Sequence, residues 1–189
     1  MYNGFGKRLI DLVLSSLLFV ILLPIFFVIA LLVRIDSKGP AIYKQLRVGK
    51  GQSLFNIYKF RTMVAGADQI GPLSTQRGDR RITRVGRVLR KTSLDELPQL
   101  LNVIKGDMSI VGPRPDVPSN VKNYDPARMR KFEVQPGITG YAQVYGRSDL
   151  STEEKMKLEL EYVNGVSFHL DFAIIVKTFR KLLGDKSSY

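Results

Sequence analysis

Apolar residues fall along this chain in three rhythms, and each predicts a different element. From Leu12 to Val33 the run is unbroken, LVLSSLLFVILLPIFFVIALLV, about 22 residues without a charge and long enough for a helix to cross a bilayer. Between 41 and 63 apolar and polar positions alternate in two stretches, AIYKQLRVG and SLFNIYKFRTM, which meet around Gly49-Lys50-Gly51 as in a hairpin. Val64–Arg77, with its Gly and Pro, reads as a loop. Ile82–Lys91 carries the helical period, with Arg84, Arg87 and Lys91 on one face and Val85, Val88 and Leu89 on the other. Two further helices are predicted. Glu153–Val163 follows Ser151-x-x-Glu154, a capping-box spacing. Asp171–Leu183 lines up Phe172, Ile175, Val176, Phe179 and Leu182, with Lys177, Arg180 and Lys181 elsewhere. Such a basic amphipathic helix suits a membrane surface, and equally a core-facing position with solvated lysines. Neither internal repeats nor low-complexity segments occur, so one domain is expected.

Pro24 divides the long apolar run. It removes a backbone donor and crowds the preceding turn, which predicts a kink or break. The arms on either side would be about 18 Å and 14 Å long, and neither spans a hydrocarbon core of ~30 Å. Both flanks are basic: Lys7 and Arg8 precede the run, and Arg34, Lys38, Lys44, Arg47 and Lys50 follow it. Positive flanks mark the cytoplasmic side. A re-entrant hairpin satisfies both flanks, and a Pro-kinked transmembrane helix remains the alternative. A secretory signal does not fit, because the run is too long and no small-residue cleavage pattern follows.

Composition narrows the chemistry. With 189 residues there is room for one domain, or a compact domain plus an anchor. The absence of cysteine excludes disulfides, thiolate metal sites and cysteine nucleophiles. A formal charge of +12 attracts nucleic acid, anionic lipid or phosphorylated substrates alike. The apolar run and the lack of any nucleic-acid motif argue against the first. A lone His169 makes a histidine-pair metal site or a Ser-His-Asp hydrolase hard to build, and it reads as an ordinary packed or surface side chain.

The chemically dense stretch is Arg81–Pro115, RITRVGRVLRKTSLDELPQLLNVIKGDMSIVGPRP. Ser93-x-x-Glu96 at its centre is itself a capping box, so Asp95-Glu96 has a purely structural reading. The functional reading comes from the surroundings. An Asp at a helix start is kept anionic by backbone donors, and its oxygens suit a divalent cation. Lys59, Arg61, Arg84, Arg87, Arg90, Lys91 and Arg114 supply the cations a diphosphate needs, and arginine is suited to bidentate phosphate contacts. Gly112-Pro113-Arg114-Pro115 fixes the backbone on both sides of Arg114. A glycosidase is not indicated, since its two carboxylates must flank a sugar from opposite sides.

Taken together, these motifs resemble the monotopic phosphoglycosyl transferases, or bacterial sugar transferases. The resemblance runs through KRLIDLVLS with a proline in the apolar helix, YKFRTM at 58–63, DRRITRVGRVLRKTSLDELPQLLNVIKGDMSIVGPRP at 79–115, PGITGYAQVYGR at 136–147 and SFHLD at 167–171. It implies an α+β, mostly helical fold: a re-entrant helix-break-helix in residues 1–35 and a cytoplasmic-face catalytic domain in 36–189, with interfacial amphipathic helices and a small β-element. It also implies the minimal form of the family, at the bacterial inner membrane.

The same resemblance implies a reaction. A phosphosugar passes from a UDP-sugar to polyprenyl (undecaprenyl) phosphate, with UMP released and a phosphosugar held on Asp95. Asp95 and Glu96 fall on the catalytic dyad, and Mg²⁺ is bound in part by Asp95. Lys59, Arg61, Arg87, Arg90, Arg114 and Arg147 are the expected substrate-binding cations. Membrane lipids and later glycosyl transferases of the same pathway are the expected partners, and nucleic acid is not one. The competing reading is a non-catalytic, membrane-anchored module that binds anionic lipid. Three positions depart from the family pattern: Leu23 before the proline, Tyr145 in place of an Asn, and Glu159 where an Asp ahead of the Tyr-Val pair is more common.

Overall fold

The computed structural model describes residues 2–71, 78–146 and 150–184. Helix α1, Lys7–Asp36, runs 30 residues, about 45 Å at 1.5 Å per residue. A hairpin follows, β1 (Ile42–Val48) antiparallel to β2 (Leu54–Phe60), then α2 (Arg84–Thr92) and α3 (Gln99–Lys105). Strand β3 (Ser109–Val111) leads to two short helices, α4 (Pro118–Val121) and α5 (Pro126–Met129), and to β4 (Gly137–Thr139). Helices α6 (Tyr141–Tyr145), α7 (Thr152–Gly165) and α8 (Phe168–Gly184) close the order. The fold is α+β and mostly helical, as expected.

The expected break at Pro24 is not there: α1 continues through it. Pro24 forfeits one donated bond and crowds the Val20 carbonyl. The packing explains why that is tolerated. One stripe, Asp11, Ser15, Phe26, Ile29 and Val33, faces the protein at helical spacing, while Pro24 is exposed on the opposite side. The helix is therefore held against the body on both sides of the proline.

Both ends of α1 are fastened to the same body. At the start, Lys7 pairs with Asp171, Arg8 donates to the Val103 and Ile104 carbonyls, and Asp11 accepts the Ile110 N–H at 3.1 Å. At the end, Asp36 accepts the Val85 N–H at 2.9 Å, and Arg61 donates to the Ser37 carbonyl at 2.6 Å and to that of Val33 at 3.4 Å. The outer face is apolar and bare. Val13, Leu17, Val20, Ile21, Phe27 and Val28 are each more than half exposed. An apolar face this long and this exposed is what a membrane-facing helix presents.

The hairpin forms as the alternation predicts, pairing Tyr43 with Lys59 and Arg47 with Phe55. Its tip turns through left-handed Gly51 and Gln52. Phe60 joins Ile29, Val33 and Leu89 in one core, and Phe55 and Ile57 join Val103 and Met108 in a second. The Ser151–Glu154 capping box forms with both of its bonds. On α8 the predicted apolar stripe is not the buried face: Phe172, Phe179 and Leu182 stay exposed and Ile175 and Val176 are half-buried, while Ile174, outside that stripe, is buried beside Val111 and Tyr162. Of the predicted loop, the part at 72–77 lies outside the described residues.

The sequence rhythm did not predict the parallel pairing of β3 with β4. Here backbone meets backbone: a Cβ on Gly137 would sit 2.0 Å from the Gly112 nitrogen. Only glycine permits that approach, and it locks the segment after β3 against the one around β4.

Candidate active site

The dyad sits where α2 ends. Ser93 adopts a left-handed conformation (φ 56°), reverses the chain and hands over to a single tight turn, Leu94–Glu96, ahead of α3. Ser93 therefore terminates α2, and its side chain makes no capping bond. The capping-box reading of Ser93 and Glu96 is corrected. Glu96 instead turns inward, accepting Lys59 Nζ at 2.7 Å and an Arg114 guanidinium N–H at 3.2 Å on one oxygen.

Its neighbour is held differently. Asp95 is 9% exposed. Burial pushes its carboxyl up to about 6, and the adjacent Glu96 charge adds to that push, while Lys59 and Arg90 pull against it. Glu96 is also driven up by burial, but the Arg114 and Lys59 charges outweigh this and hold it at about 2. The backbone donors expected to keep Asp95 anionic contribute little here; desolvation sets its level, which still leaves it mostly ionised at neutral pH. Glu96 is a fixed anion, and Asp95 is a less stabilised, more basic oxygen centre beside it. Lys59 is lowered by burial and partly restored by Glu96.

Of the expected cations, Lys59, Arg90 and Arg114 converge on the dyad. Arg90 Nε donates to Thr62 Oγ1 at 2.8 Å at the end of β2 and lies within electrostatic reach of Asp95. Arg61 does not join them. Its guanidinium is buried against the last carbonyls of α1, serving as the C-terminal cap of that helix. Arg87 lies on the exposed face of α2, and the dyad takes its counter-charges from the other three. Arg147 lies outside the described residues.

Sequence reasoning missed Arg47 and Gln99, which line the pocket beside Glu96 together with Lys59 and Arg114. Arg47 donates to the Pro115 carbonyl at 2.9 Å and to Gln45 at 2.6 Å. A signal was available: in this register Arg47, Ile57 and Lys59 share one face of the hairpin. Tyr145 is packed between the Tyr141 ring (4.4 Å) and Lys177 Nζ (4.2 Å), so it joins α6 to α8.

Three cations and one carboxylate, Arg47, Lys59, Arg114 and Glu96, thus line a net positive pocket suited to phosphates, with Asp95 and Arg90 beside it. Among the described residues no group of three or more His, Asp or Glu side chains is placed to hold a metal. Mg²⁺ does not need such a group, since it takes one or two carboxylates and completes its shell with water and substrate phosphates, and the Asp95 carboxylate could serve as one.

The bacterial sugar transferase family model matches residues 2–185. The chain belongs to that family. It is 40% identical over 191 residues to a UDP-glucose:undecaprenyl-phosphate glucose-1-phosphate transferase of Caulobacter vibrioides, covering 97% of this chain and 72% of the relative. A UDP-N-acetylgalactosamine-undecaprenyl-phosphate N-acetylgalactosaminephosphotransferase of Aeromonas hydrophila is 41% identical over 186 residues, 95% of this chain but 44% of that protein. A sugar transferase of Bacillus subtilis, EpsL, is 44% identical over 177 residues, 94% of this chain and 87% of its own length. The matched region of this sugar transferase includes the dyad and every cation placed around it.

Proposed function

We propose that this sugar transferase moves a sugar 1-phosphate from a UDP-sugar to undecaprenyl phosphate, as the names of its relatives describe for them. The observation that carries the reading is the pair of adjacent carboxylates among converging cations, Glu96 clamped by Lys59 and Arg114 and Asp95 buried beside it without a direct cationic partner among the described residues. Asp95 is the nucleophile: one of its carboxylate oxygens attacks the sugar-bearing phosphorus, and the bond from that phosphorus to the bridging oxygen breaks. UMP leaves with the bridging electrons, and the phosphosugar remains on Asp95 as an acyl phosphate. An oxygen of undecaprenyl phosphate then attacks the same phosphorus and frees the Asp95 carboxylate, giving undecaprenyl diphosphosugar. Glu96 keeps Lys59 and Arg114 in place, and with Arg90 they meet the charge of the phosphates. Mg²⁺, held by Asp95 together with the diphosphate, would supply further charge neutralisation when bound.

The placement follows from the two substrates. A UDP-sugar arrives from water and the acceptor lies in lipid, so the dyad belongs at their boundary. The bare apolar face of α1 enters the membrane, and its two fastened ends favour entry and exit on one side, the cytoplasmic face of the inner membrane. Exposed Phe172, Phe179 and Leu182 on α8, flanked by Lys177, Arg180 and Lys181, suit the same interface. Later glycosyl transferases would consume the lipid-linked product.

The test is a panel of UDP-sugars with the purified protein and Mg²⁺. UMP should form to at most one equivalent before acceptor is added, then turn over once undecaprenyl phosphate is present. UMP that never appears without acceptor would replace the covalent route by direct transfer. UMP that appears with no sugar in the panel, even with acceptor, would sink the activity itself.

A further inference from the structure

Glu159 lies outside the dyad, yet it is 8% exposed and both of its oxygens are engaged. Oε1 accepts the backbone N–H of Arg114 at 3.2 Å, and Oε2 pairs with Lys131 Nζ at 2.7 Å. The Lys131 side chain is 3% exposed and also pairs with Asp116. Asp116 in turn accepts the Tyr124 hydroxyl at 2.9 Å, and its main-chain carbonyl accepts the Val48 N–H at 2.9 Å. On the same face of α7, three residues on, the Tyr162 hydroxyl lies 3.0 Å from the Val111 carbonyl and 2.8 Å from Asp171 Oδ1 and shares its one proton between them. One helix therefore grips the segment 111–114 at both ends, and between those grips Arg114 sends its half-exposed side chain to Glu96.

Two buried charges and a part-buried third are a poor way to gain stability. Desolvating them offsets most of their attraction, and apolar side chains of similar volume often hold a fold equally well. What an ionic cluster does supply is direction: each carboxylate oxygen fixes one donor at one place. Here the donor fixed is the main chain of a residue whose guanidinium enters the active site.

We infer that Glu159 is a positioning residue of this transferase: through the Arg114 backbone it sets where the Arg114 guanidinium meets the donor's phosphates, with Lys131 and Asp116 as its counter-charges. The inference rests on the proposed transfer reaction. Glu159 touches neither substrate nor dyad, so its effect on catalysis must pass through Arg114, and a double-mutant cycle reads that route. Glu159→Gln offers one acceptor oxygen, which can serve Arg114 or Lys131 but not both.

In the native background Glu159→Gln should raise KM for the UDP-sugar about tenfold, with a smaller change in kcat. In an Arg114→Ala background the same substitution should change KM less than about twofold. Equal effects in the two backgrounds would overturn the inference, since a general structural role multiplies independently of Arg114. If Glu159→Gln fails to fold, as judged by its melting transition, the cycle is run with Glu159→Asp. That variant keeps the charge and shortens the reach by one methylene, and the same outcomes apply. Amide exchange at Arg114 gives a readout independent of turnover. Faster exchange in the Glu159 variant supports the grip, and unchanged exchange overturns it even if the native protein releases no UMP, a result that would count against the transfer reaction alone.

Discussion

Asp95 and Glu96 are one peptide bond apart, and the fold sets them in opposite directions: Asp95 is pushed up to about 6 and Glu96 is held at about 2. The cause is placement. Glu96 has two cations in direct contact, whereas Asp95 is buried and feels its cations only at a distance. A carboxylate that burial holds above its ordinary value near 4 costs stability whenever it is ionised. The sign follows: the native state binds the proton more tightly than the unfolded chain, so stability is lost as pH rises from about 4 through about 6. Asp95→Asn removes that cost. In EDTA at pH 7 the variant should melt several degrees higher than the native protein, a gain of about 3 kcal/mol at most. The gap should close by pH 4, and UMP formation should be absent throughout. A variant melting lower at pH 7 would show that Asp95 is not under this strain.

The same residue makes a second prediction, for rate. Only ionised Asp95 attacks, so UMP release should fall as pH drops from 7 to 5. A cation bound by Asp95 competes with the proton. The midpoint of the pH profile should therefore move to lower pH as Mg²⁺ is raised from limiting to saturating. A midpoint that stays fixed would remove Asp95 from the metal's ligands while leaving its role as nucleophile intact.

At the scale of elements, legibility tracked how local each interaction is. The hairpin, α2, α7 with its capping box, and α8 are written in alternation, helical period and cap residues within a few positions of one another. The β3–β4 pair joins Ser109 to Gly137 across an intervening stretch, three residues to a strand, and no periodicity develops over so short a span. The dyad and Arg114 could be found because family motifs mark them. Composition counts cations without saying which one caps α1, so Arg61 falls among the substrate cations, and Glu159 stands out in the sequence only as a departure from the family pattern because its ion pair with Lys131 exists only once α7 packs. Pro24 looked decisive because its local cost is real, yet long-range packing outweighed it. Close backbone contact is the other nonlocal device, and it yields a third prediction. A Cβ on Gly86 would lie 2.1 Å from the Thr62 carbonyl oxygen, far inside contact distance and against backbone that cannot yield locally. Gly86→Ala should push α2 off the end of β2, at about 1–3 kcal/mol, and lower the melting temperature by several degrees. Because Arg90 rests on Thr62 from the same helix, UMP release should fall as well. An alanine variant with native stability would show that α2 is free to shift.

For the whole molecule the question is on which side of a membrane the two ends of a helix long enough to cross it would lie. Each end of α1 has its own fastening: Lys7 and Arg8 at the start, Asp36 and the Arg61 cap at the end. A transmembrane arrangement would have to break one set and carry Lys7 and Arg8 through hydrocarbon, at several kcal/mol for two charges. Pro24 works in the same direction, since a helix short of one bond and crowded at Val20 bends at less cost than an unbroken one. The chain has no cysteine, so single cysteines at Asn3 and at exposed Ser53 are clean probes. In intact cells both Asn3→Cys and Ser53→Cys should resist an impermeant thiol reagent, and both should react after lysis. Labelling of Asn3→Cys alone from outside would establish a crossing helix and overturn the one-sided arrangement. Adding Pro24→Ala restores the missing bond and stiffens α1, so a minor part of the population should expose Asn3→Cys outside. Adding Lys7→Gln and Arg8→Gln as well removes the fastening and the basic flank together, and the exposed share should grow. UMP release should fall in step with it, although no residue of the dyad or its cations has changed, because a helix that leaves the body no longer supports β3 or the segment that presents Arg114.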